Sequence, residues 1–521
     1  MNRAVLALGL VALTGAAGVL GAACSSSSSK SSPGTDSGTE TGVDGGTSAF
    51  APTLPCTDSI AAVYADPGDV TAMAKGAIIK CAHDTDFTAS ALLGLAQATD
   101  PSMTPPYSGA PFTSGAHIYR VLYRTERGDT ANSPGYSSAL VLLPDTPRAG
   151  TLPVVVASHG SRGQAGLCAP SMLNAAAAAV NDDFIHQVYP LVGFGYAVIA
   201  PDLAGYANFG APGNPPSAYA DTQDVGKSTL DGVAALRNVL PMASLTQQIV
   251  LVGHSQGGQT ALSALAISGS YPLSGTIAAV AVYSPLWISQ RAWGAILLEP
   301  TTYTFAQSSA GAVSLWYHDT HALLLDGPDA GADGIFDPTK LPVIQKFEQN
   351  DCWASSYPDL VEAGTSANDF FASSYISAIG VAATPLGNGD CSADTTGECA
   401  TWIARMTADW PHLTGPAAKT PILIEYANDD TTITPDVMQC VFNRLSSDSN
   451  SYQVCYDTNP VGHSGSVSEN SDYVADWIAH ETLGGPAPTE NCGALTVNAQ
   501  GVPQLEGDAG AVPCNNLLST Q

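Results

Sequence analysis

The apolar positions of this chain fall into two kinds of run. Leu152 to Ser158 ("LPVVVAS") is continuous, and so are Ile249 to Val252, Ile277 to Tyr283 and "PILIEYA" from Pro421 to Ala427. Short runs that are apolar on both sides read as strands buried inside a parallel sheet. Tyr196 to Ala200 and Ser451 to Tyr456 add two strands, and His117 to Arg124 and Ser137 to Leu143 two more ahead of them. Between these lie helical patterns: Asp224 to Leu240, the stretch after Ser255, and Val467 to His480. Strands alternating with helices predict an α/β fold, a mostly parallel sheet with helices on both faces. Upstream, Ala and Leu recur at helical spacing from Cys56 to Thr99, which predicts a helical segment within 51–115.

The alternation stops at Trp287 and resumes near Ala418. Six of the seven tryptophans lie in that gap, at 287, 293, 316, 353, 402 and 410. A stretch this long inside a packed core is seldom structureless, so a cap or lid is expected over 287–418. It divides the core into 116–286 and 419–485, and leaves a tail, 486–521, with two cysteines.

The N-terminus changes the picture. Arg3, the apolar run Ala4 to Leu20 and the small residues Gly21–Ala22–Ala23 read as a secretory signal over 1–23. Cys24 and the serines behind it resemble a bacterial lipoprotein start, although Gly21 stands where leucine is commonest. Lipid on Cys24 would tether the chain to a membrane; cleavage without lipid would release it. The Ser/Thr/Gly-rich segment 24–50 is too polar to bury a core and reads as a linker. With Cys24 set aside, ten cysteines remain, an even number that in an exported chain implies disulfides. Pairing neighbours in order gives 56–81, 391–399, 440–455 and 492–514, and leaves Cys168 for Cys352.

Charge excludes some partners. The 521 residues carry 46 acidic against 17 basic side chains, a net charge of −29. That argues against nucleic acid and against electrostatic docking on anionic lipid. Nothing in the sequence implies a protein partner.

The chemistry centres on "LVGHSQGGQT". Ser255 stands between Gly253 and Gly257, after a predicted strand and before a predicted helix. A sharp strand-to-helix turn exposes a serine hydroxyl to a base and needs small residues on either side; this is the G-x-S-x-G nucleophile elbow. The N–H of Gln256 then points at a developing oxyanion. In this arrangement the order along the chain is serine, acid, histidine. The acid is expected after the strand that follows the insertion, where "PILIEYANDDTTITP" offers Asp429 and Asp430. Asp430, followed by Thr431–Thr432–Ile433, is preferred. Downstream stand only His463 and His480. His463, in the glycine-flanked "NPVGHSGS", is the expected general base in a loop; His480 falls in the closing helix as a packing or surface residue. The second oxyanion donor is expected in "HGSRG" after the first buried strand, at the Ser161 N–H, with His159 orienting that loop.

These segments ("LPVVVASHGSRGQAGLCAPS", "GYAVIAPDLAGY", "VGHSQGGQTAL", "PILIEYANDD" and "VGHSG") resemble the secretory lipases of bacteria and fungi, which have the α/β-hydrolase fold. The resemblance spans His117 to Leu286 and Pro421 to Glu481. It implies a serine esterase or lipase acting on carboxylic esters, acylglycerols included, with no cofactor and a lid over the site. A polyester or aromatic-ester esterase, or a non-catalytic binding protein on the same scaffold, are the alternatives. No metal is expected: "HDTH" (His318, Asp319, His321) lacks further ligands at zinc spacing, and the acidic turn "DAGADGIFD" would need an acid where Lys340 stands.

Overall fold

The computed structural model describes residues 50–98, 105–172, 182–207, 214–288, 309–328, 334–354, 357–383, 391–489 apart from 393, and 492–505. The expected signal sequence, Cys24, Trp293 and Cys514 lie outside these residues, as does nearly all of the expected linker.

Nine strands of the described residues form one sheet: β1 (Ile78–Phe87), β2 (Ala116–Glu126), β3 (Pro134–Pro144), β4 (Leu152–Ser158), β5 (Val198–Pro201), β6 (Leu245–His254), β7 (Thr276–Tyr283), β8 (Ile422–Ala427) and β9 (Tyr452–Asp457). Their order is β1-β2-β3-β5-β4-β6-β7-β8-β9. The first three pairs are antiparallel, and every pair from β5–β4 to β8–β9 is parallel.

The helices are α1 (Ile60–Val63), α2 (Ala89–Gln97), α3 (Asp182–Gly193), α4 (Thr222–Val239) and α5 (Gln256–Ile267) before the insertion. Within it lie α6 (Ser309–Leu325), α7 (Leu341–Asn350), α8 (Pro358–Ala363), α9 (Ala367–Phe370), α10 (Ser373–Ala383) and α11 (Glu398–Ala408). After it come α12 (Pro435–Ser447) and α13 (Gly462–Leu483).

The two-residue period of a strand explains why the central runs are apolar throughout. Val154, Val156, Ile249, Leu251, Val280, Val282, Ile422 and Ile424 face α4, α5 and α12 in one buried cluster. Their neighbours Val155, Ala157, Val250, Val252, Ala279, Ala281 and Leu423 face α2, α3 and α13 in another. Both faces are covered, as the pattern predicts.

Upstream the structure departs from expectation. The helical reading of Cys56 to Thr99 fails over Ile78–Phe87, which is edge strand β1. Two register irregularities against β2, at 78/80 and 83/85, break the alternation that would have marked a strand. Only Cys81 and Ala82 of this strand are fully buried, so burial leaves little pattern in its sequence.

The insertion is a helical cap with its own core. Trp316 is stacked on Phe347, with ring centroids 5.4 Å apart, and Trp402 packs on His318 at 4.6 Å. Trp316 and Trp402 are fully buried in this cluster, with Trp353 packed at its margin. Trp287 and Trp410 instead lie edge-to-face, 5.8 Å apart, in the cluster under the sheet. The described tryptophans of the insertion are thus structural.

Cys56–Cys81, Cys391–Cys399 and Cys168–Cys352 are bonded as expected. The pairing 440–455 is wrong: Cys455 bonds Cys492, which also overturns 492–514. Cys440 and Cys455 lie on opposite faces of the sheet, whereas the tail runs along β9, with Gly493 N–H donating to the Tyr456 carbonyl at 2.7 Å. Four disulfides among the described residues place the protein in an oxidising compartment. No helix among them is long and apolar enough to cross a membrane.

Candidate active site

Ser255 sits between β6 and α5 with φ +53° and ψ −118°, a region that costs a non-glycine residue strain. Neighbouring backbone holds it there. Its N–H donates to the Tyr283 carbonyl at 2.9 Å, and its carbonyl accepts from Leu286 N–H at 2.8 Å. The glycines are required by crowding. A Cβ on Gly253 would strike the Gly257 carbonyl, and one on Gly257 would strike the carbonyls of Ser158 and His159. The same contact places the loop after β4 against the elbow.

Asp430 follows β8. Its Oδ1 accepts from the N–H groups of Thr432 and Ile433 at 2.8 and 2.9 Å. Its Oδ2 accepts from His463 Nδ1 at 2.8 Å. Burial works to raise its carboxyl, but the His463 ring and these hydrogen bonds outweigh it and hold the group below the usual carboxylate value. Asp429 does not touch the ring; it accepts from Gly462 N–H at 2.8 Å and so anchors the turn that carries His463.

His463 is not in a loop. It is the second residue of α13, which begins at Gly462 with φ +67°. "GHSGS" is a poor helix former, so this first turn is fixed by tertiary contacts rather than propensity. One is Asp429. The other was missed in the sequence: His254, beside Ser255. Its Nε2–H donates to the His463 carbonyl at 3.1 Å, and the two rings lie 4.6 Å apart. Burial, and then the nearby His463, lower the His254 value well below that of a free imidazole, so it stays neutral. A histidine directly before the serine was the available signal.

Gln256 opens α5 and is fully buried. Ser161 is in the facing loop, its hydroxyl hydrogen-bonded to the Tyr219 hydroxyl at 2.5 Å. His159 is buried beneath that loop, its ring on the Gly160 carbonyl at 2.6 Å and edge-on to Tyr206. The loop is also joined to the cap, by Cys168–Cys352 and by Trp353 N–H donating to the Arg162 carbonyl at 2.9 Å. His480 bonds the Gly485 carbonyl at the far end of α13, away from this cluster in sequence and in role.

A serine elbow on a parallel strand, with a histidine–aspartate pair carried by the loop after one strand and the helix after the next, defines an α/β-hydrolase arrangement. Residues 154–477 match the sequence profile described as "Alpha/beta hydrolase family". The chain belongs to that family. No curated protein matches it by sequence. Among solved structures, a cell-wall-degrading esterase, LipA of Xanthomonas oryzae, superposes with TM-score 0.56 at 16% identity, over 79% of this chain and 99% of that one. Lipase A of Candida antarctica in its closed state gives TM-score 0.56 at 16% identity, over 89% of this chain and 93% of that one. A hydrolase of Legionella pneumophila described as putative gives 0.57 at 15% identity, over 78% and 99%. At these identities the likeness is one of fold.

Proposed function

We propose that this hydrolase cleaves carboxylic esters with Ser255 as nucleophile, His463 as general base and Asp430 as the residue that orients it. The observation carrying this is the 2.8 Å bond from His463 Nδ1 to a buried, ionised Asp430. That bond fixes the ring's proton on Nδ1 and leaves Nε2 as the proton acceptor. His463 takes the proton as Ser255 attacks the ester carbonyl. The tetrahedral oxyanion is stabilised by the N–H groups of Gln256 and Ser161. His463 returns the proton to the leaving alcohol, and a water activated by the same ring releases the acid. The substrate is an ester of the lipase or esterase type, met outside the cytoplasm after export. The cap sets acyl preference through residues other than its buried tryptophans.

The test is a panel of p-nitrophenyl esters from acetate to palmitate, run beside labelling with a fluorophosphonate probe. Turnover of part of the panel, with the probe on Ser255 alone, is the expected result. An intact elbow that neither labels nor turns over any ester would instead support a binding protein on this scaffold.

A further inference from the structure

Three side chains far apart in sequence converge where the cap meets the sheet domain. Asp221 immediately precedes α4, Asp409 immediately follows α11, and His321 lies on α6. All three are buried, at 6%, 3% and 0% exposure. One ligand atom from each lies within 4.8 Å of the others.

The orientation of the two carboxylates is specific. Asp221 Oδ1 accepts from Asp224 N–H at 2.7 Å, and Asp409 Oδ1 accepts from Thr222 N–H at 2.8 Å. Backbone donors thus hold the outer oxygens, and the inner ones turn to the same ring nitrogen. His321 Nε2 is 2.9 Å from Asp409 Oδ2 and 3.6 Å from Asp221 Oδ2. One nitrogen carries at most one proton, which serves one carboxylate. A second ring proton would go to His321 Nδ1, which is buried with no hydrogen-bond partner among the described residues. No lysine or arginine among them is ion-paired with either aspartate; Arg405, the nearest in sequence, pairs with Asp326. Two buried carboxylates that share a single imidazole are costly.

We propose that Asp221, His321 and Asp409 form a binding site for a divalent cation of the zinc type, which clasps the cap to the sheet domain. With metal–ligand distances of about 2.0–2.2 Å, neighbouring donors in a tetrahedral zinc site are about 3.4 Å apart. The 2.9 and 3.6 Å separations from the ring bracket that value, and all three donor atoms lie within 4.8 Å of one another, so a metal would draw the two carboxylates together. One imidazole and two carboxylates suit zinc rather than calcium or magnesium, which take all-oxygen shells. Tyr317 is one turn before His321 on α6, and its hydroxyl donates to Asp409 Oδ2 at 2.8 Å. His318, the other histidine of "HDTH", is not a ligand: it is held by the Ser314 carbonyl at 2.7 Å and the Tyr375 hydroxyl at 2.8 Å. The site is structural and does not depend on the proposed ester chemistry.

The test uses untagged protein, stripped with EDTA and reloaded with zinc chloride. Bound zinc is counted by mass spectrometry and the melting temperature is read with and without the metal. One tightly held zinc per chain and a rise of several degrees are expected. His321→Gln and Asp409→Asn should lose both. Should either fail to fold, Asp221→Asn decides, because asparagine keeps the helix-capping bond to Asp224 N–H while removing the charge. It also separates this site from an exposed cluster, where His83 and His117 flank Asp86 and offer zinc a second place. Wild type that retains no zinc, or Asp221→Asn that binds and melts as wild type does, overturns the proposal.

Discussion

Around Ser255 polar groups are held by the backbone; in the cap they are held by one another. Asp430 is fixed by two backbone N–H groups, Asp429 by a third, and Ser255 by hydrogen bonds at both its N–H and its carbonyl. In the cap, backbone also contributes, with Ser314 on His318 and Thr222 on Asp409, but side chain meets side chain more often: His318 with Tyr375, Tyr317 and His321 with Asp409, and Trp316 with Phe347. The difference predicts where damage goes. Removing a side chain at the sheet end removes chemistry and leaves the scaffold, whereas removing one in the cap removes the scaffold.

The sharpest test of the first half is Ser255→Ala. It should lower kcat by about 10⁵-fold or more while leaving the melting temperature within a degree or so of wild type. Loss of folding along with activity would erase the contrast. Next come the two acids. Asp430→Asn should cost about 10⁴-fold in kcat, since a ring with its proton on the wrong nitrogen cannot accept from serine. Asp429→Asn should cost far less, because the amide still accepts from Gly462 N–H. The reverse ranking would move the orienting acid to Asp429.

Trp316→Ala addresses the other half. Truncating a fully buried tryptophan costs about 3–5 kcal/mol. The melting temperature should fall steeply, while Ser255 in the folded fraction still labels with fluorophosphonate. Normal stability would show that the aromatic cluster does not hold the cap together; normal folding with lost labelling would show that it shapes the elbow directly.

The same contrast explains what was legible in the sequence. Burial on both faces writes itself into continuous Val/Ile/Leu runs, so β4, β6, β7 and β8 could be read directly. The elbow was legible because crowding at Gly253 and Gly257 admits no side chain. The choice of Asp430 over Asp429 rested on the residues that follow it, and these are the ones whose N–H groups bind its Oδ1. What failed was fixed by distant parts of the chain. The helical turn at His463 depends on Asp429 and His254, not on its own residues. Cys455 finds Cys492 because the tail returns along β9. The Asp221–His321–Asp409 cluster is built from three elements with no common spacing, so "HDTH" offered His321 but none of the distant groups it meets.

The smallest expected effect compares two carboxyls on one segment of the sheet domain. Glu425 is fully buried on β8, five residues before Asp430. Its one described side-chain donor is Asn470 Nδ2, at 3.0 Å. Burial, and then the charge of Asp457, push its carboxyl well above the ordinary glutamate value of 4.5. Asp430 is shifted the other way, so its contribution to stability is present above the unfolded aspartate value and lost as pH falls through the lower folded one. For Glu425 the sign reverses. The folded protein holds a proton that the unfolded chain releases, so this group's contribution declines as pH rises from about 4.5. Glu425→Gln keeps the shape and the acceptor for Asn470 but carries no charge. It should therefore melt a few degrees above wild type at pH 8, since each tenfold gain in proton affinity on folding is worth about 1.4 kcal/mol, and close to it at pH 4.5. A variant less stable than wild type at pH 8 would mean that Glu425 is ionised and paired in the fold. The sheet domain would then hold both carboxyls by charge, and the contrast between them would fail.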